Sequence, residues 1–258
     1  MHKKLTALIT GATSGIGLAC ARRFAAGGWN LVLVARRAER LEAISKQIAD
    51  HHGVKIMTIQ LDVRDKETIK VVEAFLNEQK CNIDVLVNNA GLAAGLNPIH
   101  EGLVDDWERM IDTNIKGLLY VTKAVLPGMI VAAKGHIINI GSIAGKEVYP
   151  GGNVYSATKF AVEGLTRSMR IDLLPYGIKV TQVAPGAAET EFSLVRFNGD
   201  SERAKHVYQG YKPLRGKDVA EAVWFAANLP SHVNVNDLLL MPSAQAGSVH
   251  FHRSVNKL

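Results

Sequence analysis

Short apolar runs alternate with helical patterns along almost the whole chain of 258 residues, and no other feature constrains the fold as strongly. A strand, a crossing helix and the next strand form a parallel pair, so this alternation predicts an α/β fold. We expect a single doubly wound parallel sheet of about seven strands flanked by helices, formed by one domain over residues 1–258. The predicted strands are residues 5–10, 30–35, 55–61, 83–87, 136–140, 178–183 and 238–241. The predicted helices are residues 16–27, 37–51, 65–79, 104–132, 155–175 and 218–228.

Glycine or polar residues follow six of these strands, at the point where each strand ends. In an open parallel sheet, ligands bind beyond the carboxyl ends of the strands, so these residues should meet at one edge. In strand order they are Gly11, Gly15 and Gly17, then Arg36 and Arg37, then Asp62, Asn89 and Ser142, and finally Pro185 and Gly186.

The turn after the first strand, residues 10–17, has the spacing Gly-x-x-x-Gly-x-Gly. Glycines let a backbone turn sharply and come close to a ligand, and the amides at a helix start favour a pyrophosphate. A tight structural turn is the alternative, but the position after the first strand favours a dinucleotide site. We expect the site to include Gly11, Thr13, Ser14, Gly15, Ile16 and Gly17.

The second strand ends in Arg36 and Arg37, where an NAD site would place an acid against the ribose 2′-hydroxyl. Guanidinium groups bind phosphate well, whereas a carboxylate would repel a 2′-phosphate. The sequence therefore favours NADP over NAD. Alternatively, the two arginines only begin a solvated helix, as Glu39 and Arg40 are expected to do.

Asp62 and Val63 follow the third strand. The Asp62 carboxylate could accept a hydrogen bond from the adenine amino group, with Val63 against the ring. The alternative is that Asp62 caps the next helix.

Charge, hydropathy and cysteine use exclude several other function classes. The net charge is +6, but the basic residues are scattered, which argues against a nucleic-acid partner. The longest apolar run, residues 118–133, contains Lys123 and Pro127, so no membrane span is predicted. The two cysteines, Cys20 and Cys81, lack metal-ligand spacing and indicate a reduced, cytoplasmic protein with no metal site.

Tyr155 and Lys159 lie four residues apart in a helical pattern, so both side chains should project from one helix face. A nearby ammonium favours the phenolate and would lower the pKa of Tyr155 from about 10. The result would be a proton donor and acceptor suited to acid–base catalysis. Such a pair also occurs by chance on many helices. It indicates catalysis only in combination with the predicted dinucleotide site.

These motifs together resemble the short-chain dehydrogenases/reductases over nearly the full chain. Residues 10–17 are similar to the family's TGxxxGxG turn, residues 88–91 to its NNAG segment and residues 155–159 to its YxxxK motif. Pro185, Gly186 and Thr190 fit its PGxxxT motif, while Ser142 and Asn114 fit its two other catalytic positions. The resemblance implies a Rossmann-type fold and oxidoreductase activity.

The resemblance also implies a role for each residue. Tyr155 would exchange a proton with the substrate, and Ser142 would hydrogen-bond the substrate oxygen. Lys159 would lower the pKa of Tyr155 and bind the nicotinamide ribose, and Asn114 would help hold a water that relays protons. The PGxxxT motif would hold the nicotinamide carboxamide. Family members are usually homotetramers, joined through the long fourth helix and the Tyr155 helix.

Four segments resemble one subgroup more closely, the NADP-dependent 3-hydroxy acid dehydrogenases, which also oxidise serine and allo-threonine. They are residues 81–92, 107–114, 151–155 and 190–197. The implied substrate is a small 3-hydroxy acid. The alternatives are an NADPH-dependent reductase of another carbonyl (a 3-oxoacyl thioester, a sugar or a steroid) and a non-catalytic NADP-binding regulator. Residues 146–149, which should border the substrate, depart from the subgroup.

A small carboxylate needs a cation or a cluster of donors to orient it. Arg196, in an expected lid segment at about residues 187–212, is the candidate for this role. The alternative is a surface arginine on a lid helix. His250, His252 and Arg253, in the tail at residues 242–258, could also contribute, possibly across a subunit interface.

Overall fold

The computed structural model describes residues 4–254, and the first three residues and the last four of the tail lie outside that range. Seven parallel strands form one sheet in the order β3-β2-β1-β4-β5-β6-β9. This arrangement confirms the predicted doubly wound α/β sheet. Its strands are β1 (Thr6–Thr10), β2 (Asn30–Ala35), β3 (Ile56–Gln60), β4 (Val85–Asn88), β5 (Gly135–Ile140), β6 (Ile178–Pro185) and β9 (Asp237–Leu240). A separate short parallel pair consists of β7 (Ala188–Glu189) and β8 (Leu214–Arg215).

Helices cover both faces of the sheet. On one face lie α1 (Gly15–Ala26), α2 (Ala38–His52) and α9 (Gly216–Ala227), and on the other lie α3 (Thr68–Glu78), α5 (Leu118–Val131) and α6 (Asn153–Asp172). The remaining helices are α4 (Val104–Ile111), α7 (Glu191–Arg196) and α8 (Ser201–His206). Within residues 4–254, no helix combines the length and apolar character needed to cross a membrane.

Alternate side chains of each central strand enter different cores, which explains why the strands are apolar without a break. Leu31 and Leu33 of β2 pack with α1, α2 and α9, whereas Val32 and Val34 pack with α3 and α5. All four side chains are fully buried. The sheet is therefore a rigid support, and its functional residues lie at the strand ends.

The helix predicted over residues 104–132 is continuous but contains a wide turn. A π-helical turn, Asp112–Gly117, joins α4 to α5. Turns of this kind inside α-helices are rare and are common at functional sites. Asn114 lies within it, facing the loop that follows β4.

Candidate active site

A cleft of about 650 Å³ opens at the carboxyl ends of the strands. Its lining includes every predicted cofactor-binding residue except Gly17, together with Ser142 and Arg196. Asn114 and Gly17 lie just behind this lining, within contact of residues that form it. The predicted residues in the lining are Gly11, Thr13, Ser14, Gly15, Ile16, Arg36, Arg37, Asp62, Val63, Asn89, Tyr155, Lys159, Pro185, Gly186 and Thr190.

The glycine-rich turn has no room for side chains. Gly11 and Gly15 have φ angles of +65° and +52°, a region that favours glycine. A Cβ on Gly17 would lie 2.4 Å from the Gly11 carbonyl oxygen and 2.5 Å from Asn89 Nδ2. Because α1 begins at Gly15 and its first two residues line the cleft, the start of the helix and the turn before it fit a pyrophosphate.

Thr10 and Asn89 hold this turn against the end of β4. The Asn89 side-chain amide donates to the Thr10 carbonyl oxygen at 2.9 Å. The Thr10 hydroxyl accepts from the backbone amides of Asn89 and Ala90, at 3.0 and 2.9 Å. The two strand ends are thus fixed relative to each other before any ligand binds.

Arg37 and Arg40 form an ionic cluster with Glu191, which lies in the segment expected to form a lid, residues 187–212 (below, the lid segment). Arg37 Nη2 donates to Thr13 Oγ1 at 3.0 Å, and Arg37 Nη1 lies 3.2 Å from Glu191 Oε2. Arg40 Nη2 donates to Glu191 Oε1 at 2.5 Å. Arg40, which was expected to lie on a solvated helix, is partly exposed and also forms this ion pair. Sequence reasoning also missed Glu191, which lies about 150 residues away along the chain and gives no local signal.

Arg36 and Asp62 occupy the rim beside this cluster. Asp62 accepts hydrogen bonds from the Arg64 backbone amide and guanidinium, and Arg36 Nη1 lies 3.7 Å from Asp62 Oδ2. Partial burial raises the pKa of Asp62, but these arginine contacts outweigh it and leave the pKa below its ordinary value. The helix-cap alternative is wrong, because α3 begins only at Thr68.

Four residues with proposed catalytic roles are buried around the inner end of the cleft: Asn114, Ser142, Tyr155 and Lys159. Lys159 Nζ donates to the Ile140 carbonyl oxygen at 2.9 Å and lies 5.9 Å from the centre of the Tyr155 ring. The Ser142 hydroxyl accepts from the Ala144 amide at 3.1 Å. The structure therefore brings the predicted Ser, Tyr and Lys side chains to one place.

Asn114 fastens the loop after β4 to α6. Its side chain accepts from the Leu92 amide and donates to the Leu92 carbonyl oxygen, both at 2.8 Å. It also donates to Thr158 Oγ1 at 3.0 Å. A Cβ on Gly91 would lie 3.2 Å from Asn114 Oδ1 and 3.7 Å from Lys159 Nζ, so both side chains lie close to Gly91. The predicted water relay through Lys159 stays a prediction.

Burial governs protonation at this site. It raises the pKa of Tyr155 above its ordinary value, and neighbouring Tyr149 adds to the rise, while Ser142 and Arg196 oppose it. Burial lowers the pKa of Lys159 to about 8. The prediction that the pKa of Tyr155 is lowered is therefore wrong, because removing the phenolate from water outweighs the favourable contacts. At neutral pH the phenol keeps its proton.

Arg196 lies beside the phenol at the substrate end of the cleft. Its Nε donates to the Gly95 carbonyl oxygen at 3.0 Å, and its guanidinium carbon is 5.8 Å from the centre of the Tyr155 ring. The same carbon lies 5.4 Å from the centre of the Tyr149 ring, and Tyr149 lines the cleft, as expected of a residue that borders the substrate. The Nη2 atom of Arg196 is buried and has no hydrogen-bond partner among the residues that the structure describes. Since buried donors are nearly always paired, this atom is suited to bind an anion.

The described part of the tail, residues 242–254, contributes to the lining of the cleft on its own subunit. Ser254 N donates to the Gly210 carbonyl oxygen at 2.8 Å, and Ser248 N donates to Glu147 Oε2 at 2.7 Å. Arg253 lines the cleft, whereas His250 and His252 lie outside the lining. The contribution of those two histidines across a subunit interface stays a prediction. Arg253 lines the cleft of its own subunit, so it reaches the site without crossing a subunit interface.

Known proteins resemble this chain in sequence and in structure. The short chain dehydrogenase family model matches residues 5–199. The NADP-dependent 3-hydroxy acid dehydrogenase YdfG of Salmonella typhi is 49% identical, covering 96% of this chain and 99% of that protein. Sulfoacetaldehyde reductase 2 of Chromohalobacter salexigens is also 49% identical, covering 93% of this chain and 95% of that protein. The closed form of a serine dehydrogenase complexed with NADP+ matches with a TM-score of 0.89 and 47% identity, covering 96% of this chain and 100% of that one. With a family model matching three quarters of its length, the chain belongs to the short-chain dehydrogenase family.

Proposed function

We propose that this protein transfers hydride between NADP and a small 3-hydroxy acid or the corresponding 3-oxo acid. The observation that carries the substrate class is Arg196, which lies at the same end of the cleft as Tyr155. Its buried Nη2 has no hydrogen-bond partner within residues 4–254. A carboxylate placed on this guanidinium would leave the carbinol carbon of a short hydroxy acid within reach of the phenol. Compounds without an anionic group would leave the donor unpaired, at a cost in binding.

The cofactor half of the cleft fits NADP. The glycine turn gives close access to helix amides, and Arg36 and Arg37 provide positive charge where a 2′-phosphate would lie. When bound, NADP accepts or supplies the hydride. Two of the relatives described above carry NADP in their names or complexes, which supports the same choice here.

The protein's own residues manage the proton. During oxidation the hydroxyl proton of the substrate passes to Tyr155 Oη, and during reduction the phenol returns it to the carbonyl oxygen. Ser142 hydrogen-bonds the substrate oxygen and fixes its direction. Lys159 provides positive charge within the same buried site, and Asn114 positions the loop and the helix that carry these groups. Because the pKa of Tyr155 is raised, the phenol is in the form that reduction requires at neutral pH.

A sulfonate analogue is the second candidate substrate. The anion-binding group is one arginine fork, which can accept a carboxylate or a sulfonate. Sulfoacetaldehyde reductase 2 is as similar to this chain as the 3-hydroxy acid dehydrogenase is. The alcohol to test is 2-hydroxyethanesulfonate, which differs from 3-hydroxypropionate only in its anionic group.

We expect NADP reduction, followed by absorbance, with at least one of L-serine, L-allo-threonine, 3-hydroxyisobutyrate and 3-hydroxypropionate. The sulfonate and NAD are run in parallel. Faster turnover of a hydroxy acid than of the sulfonate supports a carboxylate as the substrate class. Faster turnover of the sulfonate would make a sulfonate the substrate class instead. Binding of NADPH without turnover of any acid would overturn the substrate assignment and leave another carbonyl substrate. Better turnover with NAD would overturn the cofactor assignment alone.

We also propose a homotetramer that works in the cytoplasm. Apolar side chains are exposed along the two helices expected to form the interfaces, including Ile130 and Val131 of α5 and Phe160 and Ile171 of α6. Exposed apolar side chains of this kind favour an interaction surface on these two helices. Light scattering should give four times the mass of the chain, and a monomer mass would contradict the assembly. Cell fractionation tests the location.

A further inference from the structure

The guanidinium of Arg37 uses three of its five hydrogens in bonds within the protein. Its Nη2 atom donates to Thr13 Oγ1 at 3.0 Å and to Glu191 Oε2 at 3.3 Å. Its Nη1 atom donates to the same Glu191 oxygen at 3.2 Å. Nη2 carries two hydrogens, so both are used.

A phosphate that binds an arginine through two parallel hydrogen bonds uses either the Nη1–Nη2 edge or the Nε–Nη2 edge. Each edge includes Nη2. A 2′-phosphate therefore cannot form a paired contact with Arg37 unless Glu191 or Thr13 gives up a hydrogen bond.

Glu191 is the partner that an incoming phosphate would displace. Thr13 is neutral and belongs to the turn that is expected to contact the cofactor, whereas Glu191 is an anion that the phosphate would repel. Burial raises the pKa of Glu191, but Arg40 and Arg37 outweigh that effect and hold it below its ordinary value. The carboxylate is thus charged at neutral pH and competes for the same positive groups.

We propose that Glu191 is a specificity-determining residue that competes with the 2′-phosphate of the cofactor for Arg37 and Arg40. This proposal rests on the proposed NADP cofactor. Glu191 neutralises the two arginines when no 2′-phosphate is present, so it lowers the affinity for NADP and leaves the affinity for NAD unchanged. Binding of a 2′-phosphate also releases the first residue of α7 from α2.

The test measures nucleotide binding by calorimetry, with 2′,5′-ADP and 5′-ADP as probes that differ only in the 2′-phosphate. Glu191→Gln is expected to bind 2′,5′-ADP about fivefold more tightly than the wild type, the size expected for freeing two partly exposed ion pairs. Its affinity for 5′-ADP is expected to stay the same. The matched control is Glu189→Gln, which removes the same charge two residues earlier. In the part of the chain that the structure describes, Glu189 makes no ion pair with either arginine.

A double substitution tests whether Glu191 changes 2′,5′-ADP binding through Arg37. In Arg37→Met, the change from Glu191 to Gln should alter 2′,5′-ADP binding much less, because the shared donor is gone. Unchanged or weaker binding of 2′,5′-ADP by Glu191→Gln would overturn the proposal and make Glu191 a support for the arginines. A wild-type protein that binds 5′-ADP as tightly as 2′,5′-ADP would instead overturn the NADP assignment on which the proposal rests.

Discussion

Replacing Tyr155 by phenylalanine is expected to lower kcat by about 10²- to 10⁴-fold, the range that a positioned acid–base group contributes. The change removes only the hydroxyl, and the ring keeps its contact with Phe192, whose centre lies 5.5 Å away. The fold and nucleotide binding should therefore remain. Turnover is measured with the best hydroxy acid, alongside calorimetric binding of 2′,5′-ADP.

The pH dependence gives a second readout for Tyr155. Because burial raises the pKa of Tyr155, the phenol stays protonated at neutral pH and the base form increases as the solution becomes alkaline. Oxidation needs that base form, so its rate should rise with pH, whereas reduction needs the phenol and should not. Tyr176→Phe, an exposed tyrosine in the turn after α6, is the matched control and should behave as wild type. A Tyr155→Phe protein with more than a tenth of wild-type activity would show that another group moves the proton.

Replacing Arg196 by methionine is expected to raise KM for a hydroxy acid by about 10- to 100-fold, since a hydrogen-bonded charge contributes about 1.5–3 kcal/mol. The unpartnered Nη2 is the donor that the substrate anion would lose. Arg196→Lys should recover only part of the loss, because an ammonium cannot form the paired contact. Steady-state kinetics with the acid and with its neutral methyl ester separate anion binding from general damage.

The ester comparison determines what Arg196 does. If it binds the anion, the substitution should affect the acid and leave the ester nearly unchanged. Equal increases in KM for the acid and the ester would show that Arg196 acts by holding the loop at Gly95, because its Nε donates to the Gly95 carbonyl oxygen. Arg203→Met is the matched control, because Arg203 lies in the same lid segment, stacks on Phe197 and is absent from the cleft lining.

The architecture could be predicted because its signals are local. Each central strand is apolar over consecutive residues, and the polar or glycine residue after it marks the edge of the sheet. The six strand ends named from the sequence do meet at one cleft, although Pro185 is the last residue of β6 and not the first after it. The π-helical turn at Asp112–Gly117 gave no such signal, since the low helix propensity of its Asp, Thr, Asn and Gly residues does not distinguish a π-helical turn from an α-helical one.

The contacts that depend on distant parts of the chain could not be predicted. The sequence predicted only a solvated position for Arg40, because its partner Glu191 lies 151 residues away along the chain. Tyr149 was expected only to border the substrate, and its stacking on Arg196 follows from how the loop after β5 meets α7. The high pKa of Tyr155 likewise reflects the depth of its burial, which no spacing of residues reveals.

The short helix α7 has a consequence for redesign. Its first residue, Glu191, contacts the arginines of the cofactor site, and its last, Arg196, contacts the substrate end. A library that alters cofactor preference around Arg37 will therefore also disturb selection among substrates, and a library at the substrate end will disturb cofactor choice. The residues that set cofactor preference and those that set substrate preference are best varied in one library. Each variant should then be screened against both nucleotides and both classes of acid.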